Sequence, residues 1–243
     1  VLVRRGELVI ERDPARPTGR LLRQGEMDAS YVDLADATHL EFDYMRWLRL
    51  TLRAAQARRI VHVGGAACAL ARALAAEWPD GRQEVCELDG EVLELARRHL
   101  GLRRAPGLHV RHVDGRAWLA GQPDASWDAI VLDAFLEDRI PRRLVSGPAL
   151  RDLARVAPLA LVNVVDDRGQ REVRAVAAGL AGAYPHVWTL GVRTGNTIVA
   201  GGTHPPSHGA LAAAAAADPS PARLTGPAAT RRWLTGAAPP DAT

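Results

Sequence analysis

Between residues 58 and 202 the chain alternates short apolar runs with segments of helical period. The runs at 60–63, 84–88, 108–113, 128–132 and 159–165 read as strands. The stretches at 70–78, 91–100, 116–120, 147–156 and 170–183 read as helices; in 91–100, Val92, Leu95, Ala96 and His99 share one face. Regular strand–helix alternation constrains a chain strongly. Each crossover returns the next strand parallel to the last, and the helices cover both faces of one sheet. A hairpin at 186–192 and 197–200, turned at Gly195-Asn196, closes the series and adds one antiparallel strand.

The flanks differ in character. Residues 1–57 contain strand-like runs at 6–10, 20–23 and 30–34, separated by Pro14, Pro17, Gly19 and Gly25, as in a small β-meander. A helix over 38–52 follows, with Leu40, Tyr44, Trp47, Leu48 and Leu52 on a core-facing stripe. In 203–243, Pro205-Pro206 breaks the chain, the alanines at 212–217 favour helix, and a second short helix is expected at 227–234 before a loose end. The expected division is therefore an N-terminal β-module with its connecting helix (1–57), a Rossmann-like nucleoside-binding domain (58–202) and a helical appendage (203–243).

Composition excludes several chemistries. All 31 basic residues are arginine, so a lysine Schiff base, and with it ordinary pyridoxal-phosphate catalysis, is impossible, as is a Walker-A lysine. The net charge of +3 is spread over scattered arginine pairs with no interleaved aromatics, which argues against a nucleic-acid partner. The chain has no apolar run of membrane-spanning length and no signal-peptide pattern, so neither membrane insertion nor export is expected. Two cysteines, Cys68 and Cys86, make no disulfide framework and fit a cytoplasmic protein. His109 and His112 point to opposite faces of one strand, and no metal site is expected.

The candidate chemistry lies at strand ends. In sheets of this kind ligands bind in the crevice beyond the carboxyl ends of the strands. Gly64-Gly65 follows the first strand and lets the backbone turn tightly beside a ligand, though a turn without a ligand would look the same. Glu87-Leu88 ends the second strand, where a carboxylate can accept both hydroxyls of a ribose. Asp114-Gly115 ends the third; Asp114 can accept an exocyclic adenine amine, N-cap the next helix, or do both. Asp133 ends the fourth and is the candidate catalytic group. Glu137 and Asp138 add charge to its loop. The three strand-end acids are expected to converge on one nucleoside-shaped cleft.

These fragments resemble the spermidine synthase family, the polyamine aminopropyltransferases, in a divergent, actinobacterial-like branch. The stretch from Ser30 to Arg46 looks like that branch's upstream loop and connecting helix, Val85-Cys86-Glu87-Leu88-Asp89 like the V-E-x-D motif, Val113-Asp114-Gly115 like the G-D-G segment, and 127–135 like the strand bearing the catalytic aspartate. The resemblance implies a class I methyltransferase-like Rossmann fold: a mostly parallel seven-stranded sheet with a C-terminal antiparallel hairpin, plus the small N-terminal β-module. It implies that Asp133 engages the attacking amine, that Gly64, Gly65, Glu87, Leu88, Asp114 and Gly115 hold the donor, and that Tyr44 and Glu137 contact the acceptor. The donor would be decarboxylated S-adenosylmethionine, the acceptor a diamine such as putrescine, and the assembly a homodimer.

Three positions depart from the family pattern. Ala67 stands where the glycine loop carries an aspartate, Leu136 where the D-x-x-D loop carries its second, and Ala29 where the upstream loop carries a glutamine. Charge-assisted hydrogen bonds contribute roughly 1.5–3 kcal/mol each, so losing two acids should weaken the hold on a cationic substrate. Two other readings follow: an S-adenosylmethionine-dependent methyltransferase, whose substrate carboxylate Ala67 would not repel, and a non-catalytic nucleoside-binding homologue.

Overall fold

The computed structural model describes residues 1–136, 139–167 and 169–240. Four antiparallel strands open the chain: β1 (Val3–Arg5), β2 (Leu8–Arg12), β3 (Gly19–Gln24) and β4 (Met27–Asp33). One more strand forms than the meander pattern predicts, because Gly6 at φ +54° turns β1 back onto β2. Helix α1 runs over Asp43–Ala54, five residues later than its expected start. The delay has a local cause: Asp36 accepts both the N–H and the hydroxyl of Thr38 and holds that stretch in a turn.

The alternating region then forms as expected: β5 (Arg59–Val63), α2 (Ala69–Glu77), β6 (Arg82–Glu87), α3 (Gly90–His99), β7 (Leu108–His112), α4 (Gly115–Ala120) and β8 (Ala129–Leu132). It continues through α5 (Arg142–Val145), α6 (Gly147–Val156), β9 (Leu159–Asp166), α7 (Arg171–Ala181), β10 (His186–Gly191) and β11 (Gly195–Gly202). The appendage supplies α8 (His208–Ala216), β12 (Arg223–Thr225) and α9 (Pro227–Trp233).

The large sheet is eight-stranded among the described residues, in the order β12-β10-β11-β9-β8-β5-β6-β7. Strands β5 to β9 run parallel, and β11 is inserted antiparallel between β9 and β10. The eighth strand is the difference from the expected seven: β12, from the appendage, pairs antiparallel along β10. The three residues Arg223–Thr225 carry too little periodicity to read as a strand on their own.

One core packs α1, α2 and α3 around Trp47, Leu48, Leu74, Leu93 and Ile60 on one side of the sheet. The other packs α6 and α7 around Ile130, Leu150, Leu153, Val176 and Leu180 on the opposite side. The switch in strand order falls between β5 and β8, and both strands end at the crevice where ligands bind in such sheets.

Candidate active site

Two cavities open at the carboxyl ends of the parallel strands. The smaller, of about 570 Å³, is lined by Gly64, Gly65, Glu87, Leu88 and Gly115 together with Leu144. The larger, of about 810 Å³, lies between the strand ends, α1 and the N-terminal sheet. Asp133 borders both, as do Gly65, Ala66 and Phe135.

The glycine loop is built tightly against Asp133. Gly64 has φ +79°, and a Cβ there would collide with the Asp133 carbonyl oxygen and the Ala134 side chain. A Cβ on Gly65 would meet Val85 at 2.8 Å. Only glycine permits this approach at position 64 without strain.

Glu87 holds that loop. Its Oε2 accepts the backbone N–H of Gly65 at 3.1 Å and of Ala66 at 3.0 Å, and its Oε1 accepts the Asp89 N–H at 2.9 Å. A carboxylate has about four lone-pair positions, so one remains on Oε1 for a ligand hydroxyl. Asp89, not Glu87, caps α3, accepting from Glu91 at 2.8 Å and Val92 at 3.2 Å.

Asp133 accepts two donors from different elements. The Tyr44 hydroxyl of α1 donates to Oδ2 at 3.1 Å, and Asn163 of β9 donates its Nδ2–H to Oδ1 at 2.9 Å. Burial pushes the Asp133 pKa above the usual carboxylate value, and the two donors pull against that shift. Burial, and then the charge of Asp133, push the Tyr44 phenol well above its ordinary value. Tyr44 therefore stays a hydroxyl donor.

Asp114 does not join the other two acids. It is not among the residues lining either cavity. One carboxylate oxygen accepts the Ala117 N–H at 3.0 Å, capping α4, and the other pairs with Arg143. Burial raises its pKa, but the Ala117 N–H and Arg143 outweigh it and hold the carboxyl below the usual range. The expected convergence of three acids thus reduces to two, Glu87 and Asp133, with Gly115 and Arg143 bordering the smaller cavity in place of the Asp114 carboxylate.

Leu88 is 56% exposed and Leu136 71% exposed, and both face the smaller cavity, giving it apolar walls. Cys86 also borders it, but burial and Glu84 push its thiol up to about 12, so it is no nucleophile at neutral pH. Glu137 and Asp138 lie outside the described residues. Ala67 is fully buried and lines neither cavity, whereas Ala66 lines both.

Periodicity and strand-end rules miss part of this site. Asn163 interrupts an otherwise apolar strand that is buried from Leu159 through Val164. A lone amide in such a run is a signal in itself, because a buried polar group without a partner costs about 1–3 kcal/mol. Glu11, Asp13, Asp28, Glu41 and Asp43 also line the larger cavity. They reach it because the N-terminal sheet folds over the strand ends, a tertiary event with no local trace in the sequence.

The sheet order and the crevice define the class: a methyltransferase-like α/β fold with an added N-terminal β-sheet. No family model matches the chain. A polyamine aminopropyltransferase from Vibrio vulnificus is 28% identical over 115 residues, covering 45% of this chain. The matched stretch spans 38% of that relative's length. A crystal structure of a probable spermidine synthase from Corynebacterium glutamicum is 27% identical, with a TM-score of 0.88, over 96% of this chain and 91% of that one. Together these two likenesses support assigning the chain to the spermidine synthase family. More distant structures share the fold alone: a spermidine synthase in complex with the transition state analogue AdoDATO (TM-score 0.66, 13% identity, 84% of this chain and 72% of that one) and human methyltransferase-like protein 13 in complex with SAH (TM-score 0.58, 19% identity, 80% and 93%).

Proposed function

We propose that the chain is an aminopropyltransferase that moves an aminopropyl group from decarboxylated S-adenosylmethionine to a diamine such as putrescine. The observation that carries this reading is the position of Asp133 on the boundary between two cavities, one with the glycine loop and Glu87, the other rich in carboxylates. A two-substrate transfer needs a donor chamber, an acceptor chamber and a proton acceptor where they meet.

The donor's adenosine would occupy the smaller cavity. Glu87 would accept a ribose hydroxyl on Oε1, and Leu88, Leu136 and Leu144 would flank the base. Contact between Asp114 and the adenine amine would require its pair with Arg143 to open. The acceptor would enter the larger cavity, and its nitrogen lone pair would form the new C–N bond. The C–S bond breaks with its electrons passing to sulfur, which leaves as a neutral thioether. The surplus proton on nitrogen passes to the Asp133 carboxylate and then to solvent. A sulfonium is already an activated leaving group, so alignment and proton removal are what the protein must supply.

The methyltransferase reading drew on Ala67, a fully buried side chain that lines neither cavity. Among the described residues lining the smaller cavity, Arg143 is the only cation, and Asp114 engages it. A donor carboxylate therefore finds no unengaged cation there. The proposal includes a homodimeric, cytoplasmic protein, in keeping with two buried free thiols.

Calorimetric titration with methylthioadenosine, S-adenosylmethionine and decarboxylated S-adenosylmethionine tests the reading. Preference for the decarboxylated donor is expected. Preference for the intact donor would favour a methyltransferase, and no binding of any nucleoside at millimolar concentration would refute both enzymes.

A further inference from the structure

The side-chain oxygen of Asn163 has no hydrogen-bond partner among the described residues, although the residue is only 1% exposed. Its orientation is fixed by its neighbour. Nδ2 donates to Asp133 Oδ1 at 2.9 Å, and a flipped amide would set oxygen against carboxylate oxygen. Oδ1 is thus left as an acceptor beside the catalytic candidate, on a residue that lines the larger cavity.

A second observation concerns charge. Arg12 is the only cation lining the larger cavity among the described residues, against Asp133 and five further carboxylates. Most of these acids are engaged: Asp13 by the Tyr31 hydroxyl at 2.7 Å, Asp28 by Arg23, Glu41 by His39. Two are not. Glu11 makes no side-chain hydrogen bond or ion pair among the described residues, and Asp43 accepts only the Tyr44 N–H, at 2.6 Å. Both are half-buried. They are carried by the N-terminal sheet and the start of α1, not by the glycine loop or the loop after Asp133.

Resting on the aminopropyltransferase reading, we propose that Asn163 Oδ1 seats the attacking amine of a linear polyamine acceptor and that Glu11 and Asp43 hold its distal ammonium. A primary amine offers two N–H donors and one lone pair. With one N–H on Asn163 and the other on an oxygen of the Asp133–Tyr44 pair, the lone pair is left to face the donor cavity. The distal anchor of this chain therefore lies on β2 of its N-terminal sheet and at the start of α1.

The test measures kcat and KM for putrescine and for butylamine, which has the same four carbons but a single amine, together with methylthioadenosine affinity. Asn163→Leu replaces the amide with an apolar group of similar size. It should raise KM for both amines roughly ten-fold or more with methylthioadenosine affinity unchanged, and loss of the amide donor to Asp133 should move the acid limb of the pH–rate profile to higher pH. Glu11→Gln combined with Asp43→Asn should reduce the preference for putrescine over butylamine by a similar factor. An unchanged acceptor KM in Asn163→Leu, or an unchanged preference in the double variant, would overturn the proposal. Should Asn163→Leu fail to fold, the double variant decides alone. Failure of the functional reading itself looks different: the unsubstituted protein would then bind no nucleoside.

Discussion

The Tyr44 hydroxyl donates to Asp133 Oδ2 at 3.1 Å, a contact between residues 89 positions apart in sequence. It joins the helix that follows the N-terminal sheet to the end of a central parallel strand. The N-terminal module is therefore part of the catalytic arrangement proposed here.

Replacing Asp133 by asparagine removes the proposed proton acceptor while keeping the side chain's shape. Aminopropyl transfer should fall by roughly 10²–10⁴-fold, the range for loss of a general base. Methylthioadenosine affinity, measured by calorimetry, should stay nearly unchanged. A large loss of nucleoside affinity instead would show that Asp133 binds the donor.

Burial holds the Asp133 pKa above its ordinary 3.8, while Asn163 and Tyr44 stabilise the ionised form. The acid limb of kcat/KM should accordingly lie above the usual aspartate range. Tyr44→Phe removes one donor and should move that limb to still higher pH. A downward move in the pH–rate profile would contradict the assigned direction.

Stability should carry the same signature with opposite consequence. As pH rises from 3.8, the folded protein keeps the Asp133 proton longer than the unfolded chain does. Stability contributed by this residue therefore falls between the ordinary value and the raised one. Asp133→Asn should flatten that part of the curve in urea titrations run across acidic pH. An unaltered slope would show that the folded environment does not favour the protonated acid.

Glu87→Ala deprives three backbone N–H groups of their acceptor and removes the proposed ribose contact. Both melting temperature and methylthioadenosine affinity should drop, the affinity by about ten-fold or more on the scale of one charge-assisted hydrogen bond. Loss of stability with full nucleoside affinity would leave Glu87 a purely structural residue.

Gly64→Ala should destabilise by more than about 1 kcal/mol, since φ is +79° and the new methyl would strike the Asp133 carbonyl. Transfer should fall further than stability alone explains, because the strand end that carries Asp133 must shift. Thermal melts and initial rates on the same preparation separate the two effects.

Much of the fold was legible because its signals are local. Apolar runs ending in glycine or an acid, followed by 3.6-residue periodicity, place β5 to β9 and their helices within a few residues. Glu87 and Asp133 were legible for the same reason, as acids at strand ends. Asp114 had the same local signature, yet a helix N-terminus and Arg143 claimed its carboxylate. Tyr44 lies on the apolar stripe of α1, where its ring packs like any core residue and its hydroxyl leaves no pattern. Glu11 and Asp43 come to line the larger cavity only once the N-terminal sheet and α1 are brought over the large sheet, and β12 becomes a strand only because β10 offers it an edge.

The appendage has a consequence for how the protein is made. Arg46 forms an ion pair with Asp218 at 3.1 Å, and the Trp47 indole donates to the Ser220 carbonyl at 3.0 Å, so the appendage grips the same helix that presents Tyr44. A growing polypeptide that has emerged from the ribosome only as far as β11 lacks this grip. The helix is then held by its packing in the core with α2 and β11, and the C-terminal segment adds the last contacts that fix the Tyr44 hydroxyl beside Asp133.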